Sequence, residues 1–231
     1  MATILITGAN RGLGLAFCAQ YAAEGWQVIA TCRAPDAAAE LQQLASHYAN
    51  LSLVALNVED FAQVSALAET LSAQPIDVLL NNAGVYGDER GQGFGHLDYQ
   101  AWSRVLTVNT LAPVKMTEAF LPHLQRGQHK LVVSISSLMG SMTDNTSGGS
   151  ILYRSSKAAL NAAMRSLSIE LKAQGIGVLI LHPGWVKTDM GGPNAPLDIP
   201  TSVSGMRAVI AHFTLQQTGQ FLKYDGSVLP W

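Results

Sequence analysis

The chain has 231 residues, enough to bury a substantial core, and only 13% of them are charged, with a formal net charge of −2. No basic field recommends nucleic acid or an anionic membrane surface as a partner, and no apolar run is long enough to span a bilayer. The opening MATILITGANRGLG lacks a secretory signal's basic region, long apolar core and cleavage site. The six histidines and two cysteines, Cys18 and Cys32, show no metal-ligand spacing, so a cytoplasmic protein without a metal is expected.

In chain order, short apolar runs alternate with amphipathic stretches. The runs are TILIT, WQVIATC, LSLVALN, DVLLNN, KLVVSIS and GVLILH, with a last one inside GQFLKYDGSVLPW. They are continuously apolar rather than alternating, as in strands covered on both faces. Between them the pattern predicts helices at about 13–24, 37–48, 61–73, 99–124 and 152–173, with Gly25, Gly127 and Gly175 at expected helix ends. Strand–helix alternation implies right-handed crossovers: an α/β, Rossmann-type, doubly wound parallel sheet with helices on both faces. No linker divides the chain, so residues 1–231 read as one domain. Three stretches break the rhythm, 86–96, 140–150 and 188–201. All follow strands, at the edge where such sheets bind ligands, and they are the expected substrate loops.

The first strand runs directly into Thr7-Gly8-Ala9-Asn10-Arg11-Gly12-Leu13-Gly14 and a helix. Gly8 permits a tight turn, Gly12 a close approach to phosphate, and Gly14 close packing of helix on strand. The free N–H groups and positive dipole of the helix start would then meet a pyrophosphate, making this a dinucleotide-binding loop. The second strand ends in Cys32, where an acid would grip the ribose hydroxyl of NAD(H), and Arg33 follows at once. Arg33 and Arg11 together favour NADP(H) over NAD(H). Asp36, beyond Pro35, reads as the opening of the next helix rather than as that acid.

Later in the chain Tyr153 stands four positions before Lys157, at the start of a predicted helix. A ketone or aldehyde accepting hydride needs a proton on its oxygen. A free phenol, with a pKa of about 10, is a poor donor near neutrality. Lys157, one turn on and on the same face, would lower that pKa. Ser137 follows the fifth strand and could hold the substrate oxygen; Ser136 is the alternative.

With TGANRGLG, NNAG (81–84), SISS before a glycine and YRSSK, the chain resembles the short-chain dehydrogenase/reductase family in its compact branch. GSMTDNTSGGSILYRSSKAALN and HPGWVKTDMGG are most similar to its C-factor and Sniffer-like carbonyl reductases. The resemblance implies seven strands in the order 3-2-1-4-5-6-7 and a catalytic set of Asn109, Ser137, Tyr153 and Lys157. Lys157 would also bind the nicotinamide ribose, and Asn109 would position a water in a proton relay with it. Cofactor contacts would come from Gly8, Asn10, Arg11, Gly12, Leu13, Gly14, Arg33, Asn57, Val58, Asn82, Ala83, Gly84, Tyr153, Lys157, Pro183, Gly184, Val186 and Thr188.

The pattern departs from the family at two places. Asn57 replaces the usual acid at the adenine, and Ser137 lies sixteen positions before Tyr153, enlarging a loop at the pocket. The expected activity is hydride transfer between NADP(H) and a small carbonyl or alcohol substrate. The rival is a C-factor-type dinucleotide-binding signalling or sensor protein with little turnover. A homodimer or homotetramer is implied, and Ala158, Ala159, Ala162 and Ala163 suit close helix contact. Leu229 and Trp231 are expected at a subunit edge, at a pocket edge or in the core.

Overall fold

β1 (Thr3–Thr7), β2 (Gln27–Cys32), β3 (Leu51–Ala55), β4 (Val78–Asn81), β5 (Leu131–Ile135), β6 (Gly177–His182) and β7 (Phe221–Lys223) form one sheet in the computed structural model. It describes residues 1–89, 91 and 93–231, so Arg90 and Gln92 of the expected 86–96 loop lie outside the described residues. Strand order is β3-β2-β1-β4-β5-β6-β7, and every pairing between these strands is parallel.

The period-two geometry of strands explains why continuous apolar runs are needed. Ile4, Ile6, Val28, Ala30, Val133 and Leu179 face one layer, which contains α1 (Gly12–Ala23), α2 (Ala39–His47) and α8 (Ile199–Ala211). Leu5, Ile29, Leu79, Val132 and Ile180 face the other layer, built by α3 (Phe61–Thr70), α5 (Ala112–Ala119), α6 (Leu121–Arg126) and α7 (Ile151–Lys172). Burying one such aliphatic side chain is worth roughly 1.5–3 kcal/mol, and neither face of the inner strands can become polar without losing it. The sheet is therefore held rigid from both sides. Its carboxyl edge is free to carry loops.

Three departures from the periodicity have local causes. The stretch expected as a single helix over 99–124 is broken into α4 (Tyr99–Leu106), a π turn at Thr107–Leu111, α5 and α6, with Pro113 and Pro122 in the first turns of the last two. The expected loop 188–201 ends early, because Asp198 caps Thr201 N at 2.8 Å and starts α8 at Ile199. Its sequence signal is Asp198 before Pro200, followed by the buried Val203, Met206 and Ile210. Gly127 ends α6 in an extended rather than left-handed conformation (φ −66°, ψ 163°). A Cβ there would lie 2.1 Å from the Ile76 carbonyl oxygen, so close packing is what requires this glycine. Among the described residues no helix is long and apolar enough to cross a membrane, and no group of three or more His, Cys, Asp or Glu is arranged to hold a metal ion.

Candidate active site

The loops after β1, β4, β5 and β6 meet at the carboxyl edge of the sheet. Gly8 has φ 67° and passes so close to the loop after β4 that a Cβ on it would lie 2.8 Å from Ala83 Cα. Gly14 is closer still: its Cβ would meet the Gly8 carbonyl oxygen at 2.2 Å. Asn82 bolts the two loops together, its amide donating to the carbonyls of Thr7 (2.8 Å) and Gly8 (3.1 Å). Thr7 completes the bolt, its hydroxyl accepting from Asn82 N and Ala83 N at 3.1 Å each. Asn82, Ala83 and Gly84 are thus held against the glycine loop.

This cradle fits a dinucleotide pyrophosphate. Arg11 is the N-cap of α1 in extended conformation, no side chain caps the helix start, and its first turn carries no acid. The N–H groups and dipole there suit an anion. Asn10 is exposed, Leu13 is half-buried, and Gly12 (φ 55°) faces Thr188, whose Cγ2 would lie 3.8 Å from a Cβ on Gly12. The Arg11 guanidinium does not project alone. It pairs with Asp189 of the loop after β6 at 2.6 Å, on a solvent-exposed surface.

Arg33 is exposed at the end of β2, beside the buried Cys32, while Asp36 lies in the short 3₁₀ turn Pro35–Ala37. Asn57 is occupied locally. Its side-chain oxygen accepts from Glu59 N at 3.2 Å, and its own N–H donates to Gln63 Oε1 at 2.9 Å. Val58 is half-buried beside it.

α7 delivers Tyr153 and Lys157, both buried, to the same edge. Ser137 stands beside the Tyr153 phenol and lowers its pKa, while its hydroxyl accepts from Met139 N at 3.1 Å. Ser136 turns away and donates to Asn161 Oδ1 at 2.6 Å, inside the protein. The Lys157 ammonium donates to the Ile135 carbonyl at 2.9 Å and sits 5.7 Å from the centre of the Tyr153 ring. Burial pushes the Tyr153 phenol up to about 12, Ser137 pulls it down, and neighbouring Tyr86 adds to the rise. Burial pushes the Lys157 amine down to about 8. The expected lowering of the phenol by Lys157 is not seen among the protein's own groups. Desolvation of the phenol outweighs a lysine whose proton is directed at Ile135.

Asn109 stands in the π turn. Its side chain donates to Val85 O (2.8 Å) and Ser156 Oγ (2.9 Å) and accepts from Val85 N (2.9 Å). Both amide hydrogens are thus donated within the protein, and Asn109 clasps the chain after NNAG to α7. The backbone offers a different acceptor. Four residues on stands Pro113, which has no N–H to give the Asn109 carbonyl.

The loop after β6 is fixed by Pro183, whose carbonyl accepts from Ser202 Oγ at 2.6 Å, and by Gly184 at φ 84°. Val186 bridges Leu197, and Thr188 accepts from Gly191 N at 3.1 Å. In the loop after Ser137, Ser141 Oγ and Thr143 N both donate to the Trp231 carbonyl at 2.9 Å, while the Trp231 ring stacks on Phe221. The chain end thus braces the 140–150 segment. Sequence reasoning did not single out Thr7, Tyr86, Asp88 or Asp189. Each takes its role from a partner distant in sequence, which no local spacing encodes.

Fold and site together define a Rossmann-type nucleotide-binding protein with a Tyr–Lys pair beside its cleft. The family model described as short chain dehydrogenase matches residues 2–196. The chain is 46% identical over 166 residues to C-signal of Myxococcus xanthus, covering 72% of this chain and 99% of that protein. Among solved structures it matches carbonyl reductase Sniffer of D. melanogaster with a TM-score of 0.93 at 36% identity, covering all of both chains. It also matches NADPH-bound carbonyl reductase from chicken fatty liver with a TM-score of 0.92 at 38% identity, covering 100% of this chain and 99% of that one. The chain belongs to the short-chain dehydrogenase family, nicotinamide-dependent oxidoreductases.

Proposed function

We propose that this protein reduces small carbonyl compounds with NADPH, and oxidises the corresponding alcohols in reverse, with Tyr153 as the proton donor and acceptor. The observation that carries this reading is the buried Ser137–Tyr153–Lys157 group beside a glycine cradle that fits a pyrophosphate. NADPH, when bound, supplies the hydride. Ser137 orients the substrate oxygen toward the phenol, and Tyr153 gives that oxygen its proton as negative charge develops. The positive charge of Lys157 favours the tyrosinate left behind, and its ammonium holds the nicotinamide ribose. The Asn109 carbonyl, rather than its side chain, accepts from the water that returns a proton toward Lys157. Arg33 and Arg11 select the 2′-phosphate of NADP(H).

In this reading residues 1–231 act as one domain, in a homodimer or homotetramer, and the three loops shape the pocket. NADP(H) preference draws support from the NADPH-bound chicken enzyme, and carbonyl reduction from the names of both structural matches. Loss of reduced-nicotinamide absorbance with a panel of aromatic aldehydes and diones tests it. The likeness to C-signal favours a second reading, a dinucleotide-binding signalling protein. NADPH binding without turnover across the panel would favour that second reading.

A further inference from the structure

The helix that carries Tyr153 and Lys157 does not cap itself. Ser150, at its N-cap, is left-handed (φ 46°, ψ 46°) and makes no side-chain cap bond. Its hydroxyl instead meets the Tyr86 hydroxyl at 2.7 Å. The free N–H groups of the first turn are taken by a carboxylate from the loop after β4. Leu152 N donates to Asp88 Oδ1 at 3.1 Å and Tyr153 N to Asp88 Oδ2 at 2.8 Å. A carboxylate at this end of a helix is favoured by both hydrogen bonding and the dipole.

The segment that holds Asp88 is itself pinned. Asn109 clasps both the N–H and the carbonyl of Val85. Gly87, at φ 80°, lies so close to α4 that a Cβ on it would be 2.2 Å from Val105 Cγ2. Between these anchors the Tyr86 ring packs 4.9 Å from the Tyr153 ring. One short segment therefore touches the reactive tyrosine twice, at its ring and at its backbone N–H.

We propose that Asp88 is a positioning residue for the reaction: by capping α7 from the neighbouring loop it fixes the placement of the Tyr153 phenol. The proposal rests on the reading of Tyr153 as proton donor. Misplacing a reacting group by a fraction of an ångström lowers the rate of the step while binding persists. Asp88→Ala is therefore expected to lower kcat about tenfold. NADPH affinity and carbonyl KM should stay within about twofold, and the solvent deuterium isotope effect on kcat should rise. Asp88→Asn keeps one acceptor oxygen and should recover much of the loss.

Amide hydrogen exchange over residues 151–156 provides a readout independent of turnover and should quicken in Asp88→Ala. Unchanged kcat in both variants, with Tyr153→Phe inactive, would overturn the proposal and leave the proton-donor reading standing. A parallel fall in kcat, NADPH affinity and thermal midpoint without rescue by Asn would also overturn it, marking Asp88 as merely structural. Full turnover in Tyr153→Phe would remove both the proposal and the reading beneath it. If Asp88→Ala does not fold, Asp88→Asn, which keeps one of the two acceptors, decides alone: a residual fall in kcat of about two- to threefold with a raised isotope effect and quicker exchange over residues 151–156 supports the proposal, and wild-type values for all three overturn it.

Discussion

Lys157 holds its ammonium 5.7 Å from the centre of the Tyr153 ring while donating to the Ile135 carbonyl. Both side chains are buried, and burial moves them in opposite directions, the phenol up to about 12 and the amine down to about 8. Nearly matched in water, at 10.0 and 10.5, the two proton affinities are thereby driven apart: the phenol holds its proton and the amine releases its own more readily.

The amine's depressed pKa sets a pH dependence. Below about 8 Lys157 is charged and can hold the cofactor ribose; above it the charge is lost. The kcat/KM for NADPH, which reports the free enzyme, is expected to be level below that value and to fall above it. A profile level up to pH 10 would contradict the assignment. Stability follows the same group with a defined sign. The folded pKa lies below the ordinary 10.5, so charge burial costs stability below about 8, and the cost vanishes as pH rises toward 10.5. Lys157→Met is expected to be more stable than wild type by the order of 1–3 kcal/mol near neutrality, with the difference closing by pH 10.5. Urea unfolding at both pH values reads this directly.

The two adjacent serines should separate cleanly. Ser137→Ala removes the hydroxyl beside the phenol and is expected to lower kcat about a hundredfold, with a stability cost of about 0.5–2 kcal/mol from the lost cap to Met139 N. Ser136→Ala strips the buried Asn161 oxygen of its donor and should cost about 1–3 kcal/mol of stability while sparing turnover. Thermal melts and steady-state rates on both variants would expose a reversed assignment.

Cofactor choice is expected to reside at the end of β2. Arg33→Asp should weaken NADPH about tenfold or more and improve NADH, because a carboxylate repels the 2′-phosphate and accepts from a ribose hydroxyl. Titration of protein fluorescence with each cofactor measures both effects. Equal losses for NADPH and NADH would show that Arg33 does not read the phosphate.

Gly14→Ala places a methyl group 2.2 Å from the Gly8 carbonyl, which belongs to backbone and cannot swing aside. Dinucleotide binding should be lost, with destabilisation of about 2 kcal/mol or more. Gly25→Ala, where open space surrounds the added carbon, should leave binding intact and cost only the strain of its φ of 79°. Calorimetric NADPH titration of the pair distinguishes a packing glycine from a turn glycine.

Much of this was legible in the sequence because buried parallel strands must be apolar on both faces. TILIT and GVLILH therefore announced the sheet, and the glycine spacing announced the cradle. The tyrosine and lysine lie one turn apart, so helical geometry alone brings them together. The break at the π turn was harder to foresee, since 3.6-residue periodicity continues across it and only Pro113 signals the lost donor. α8 was hidden by the Gly- and Pro-rich run before it. Asp88 was invisible: its partners are backbone N–H groups 64 and 65 positions away, and any sequence supplies those.

The most direct test of the central claim is single-turnover reduction of an aromatic aldehyde by NADPH-loaded wild type and Tyr153→Phe, with NADPH affinity measured on both. The account predicts equal NADPH binding and a rate at least about a thousandfold lower in the variant, because one hydroxyl carries the proton. A variant that binds NADPH and turns over at the wild-type rate would contradict it.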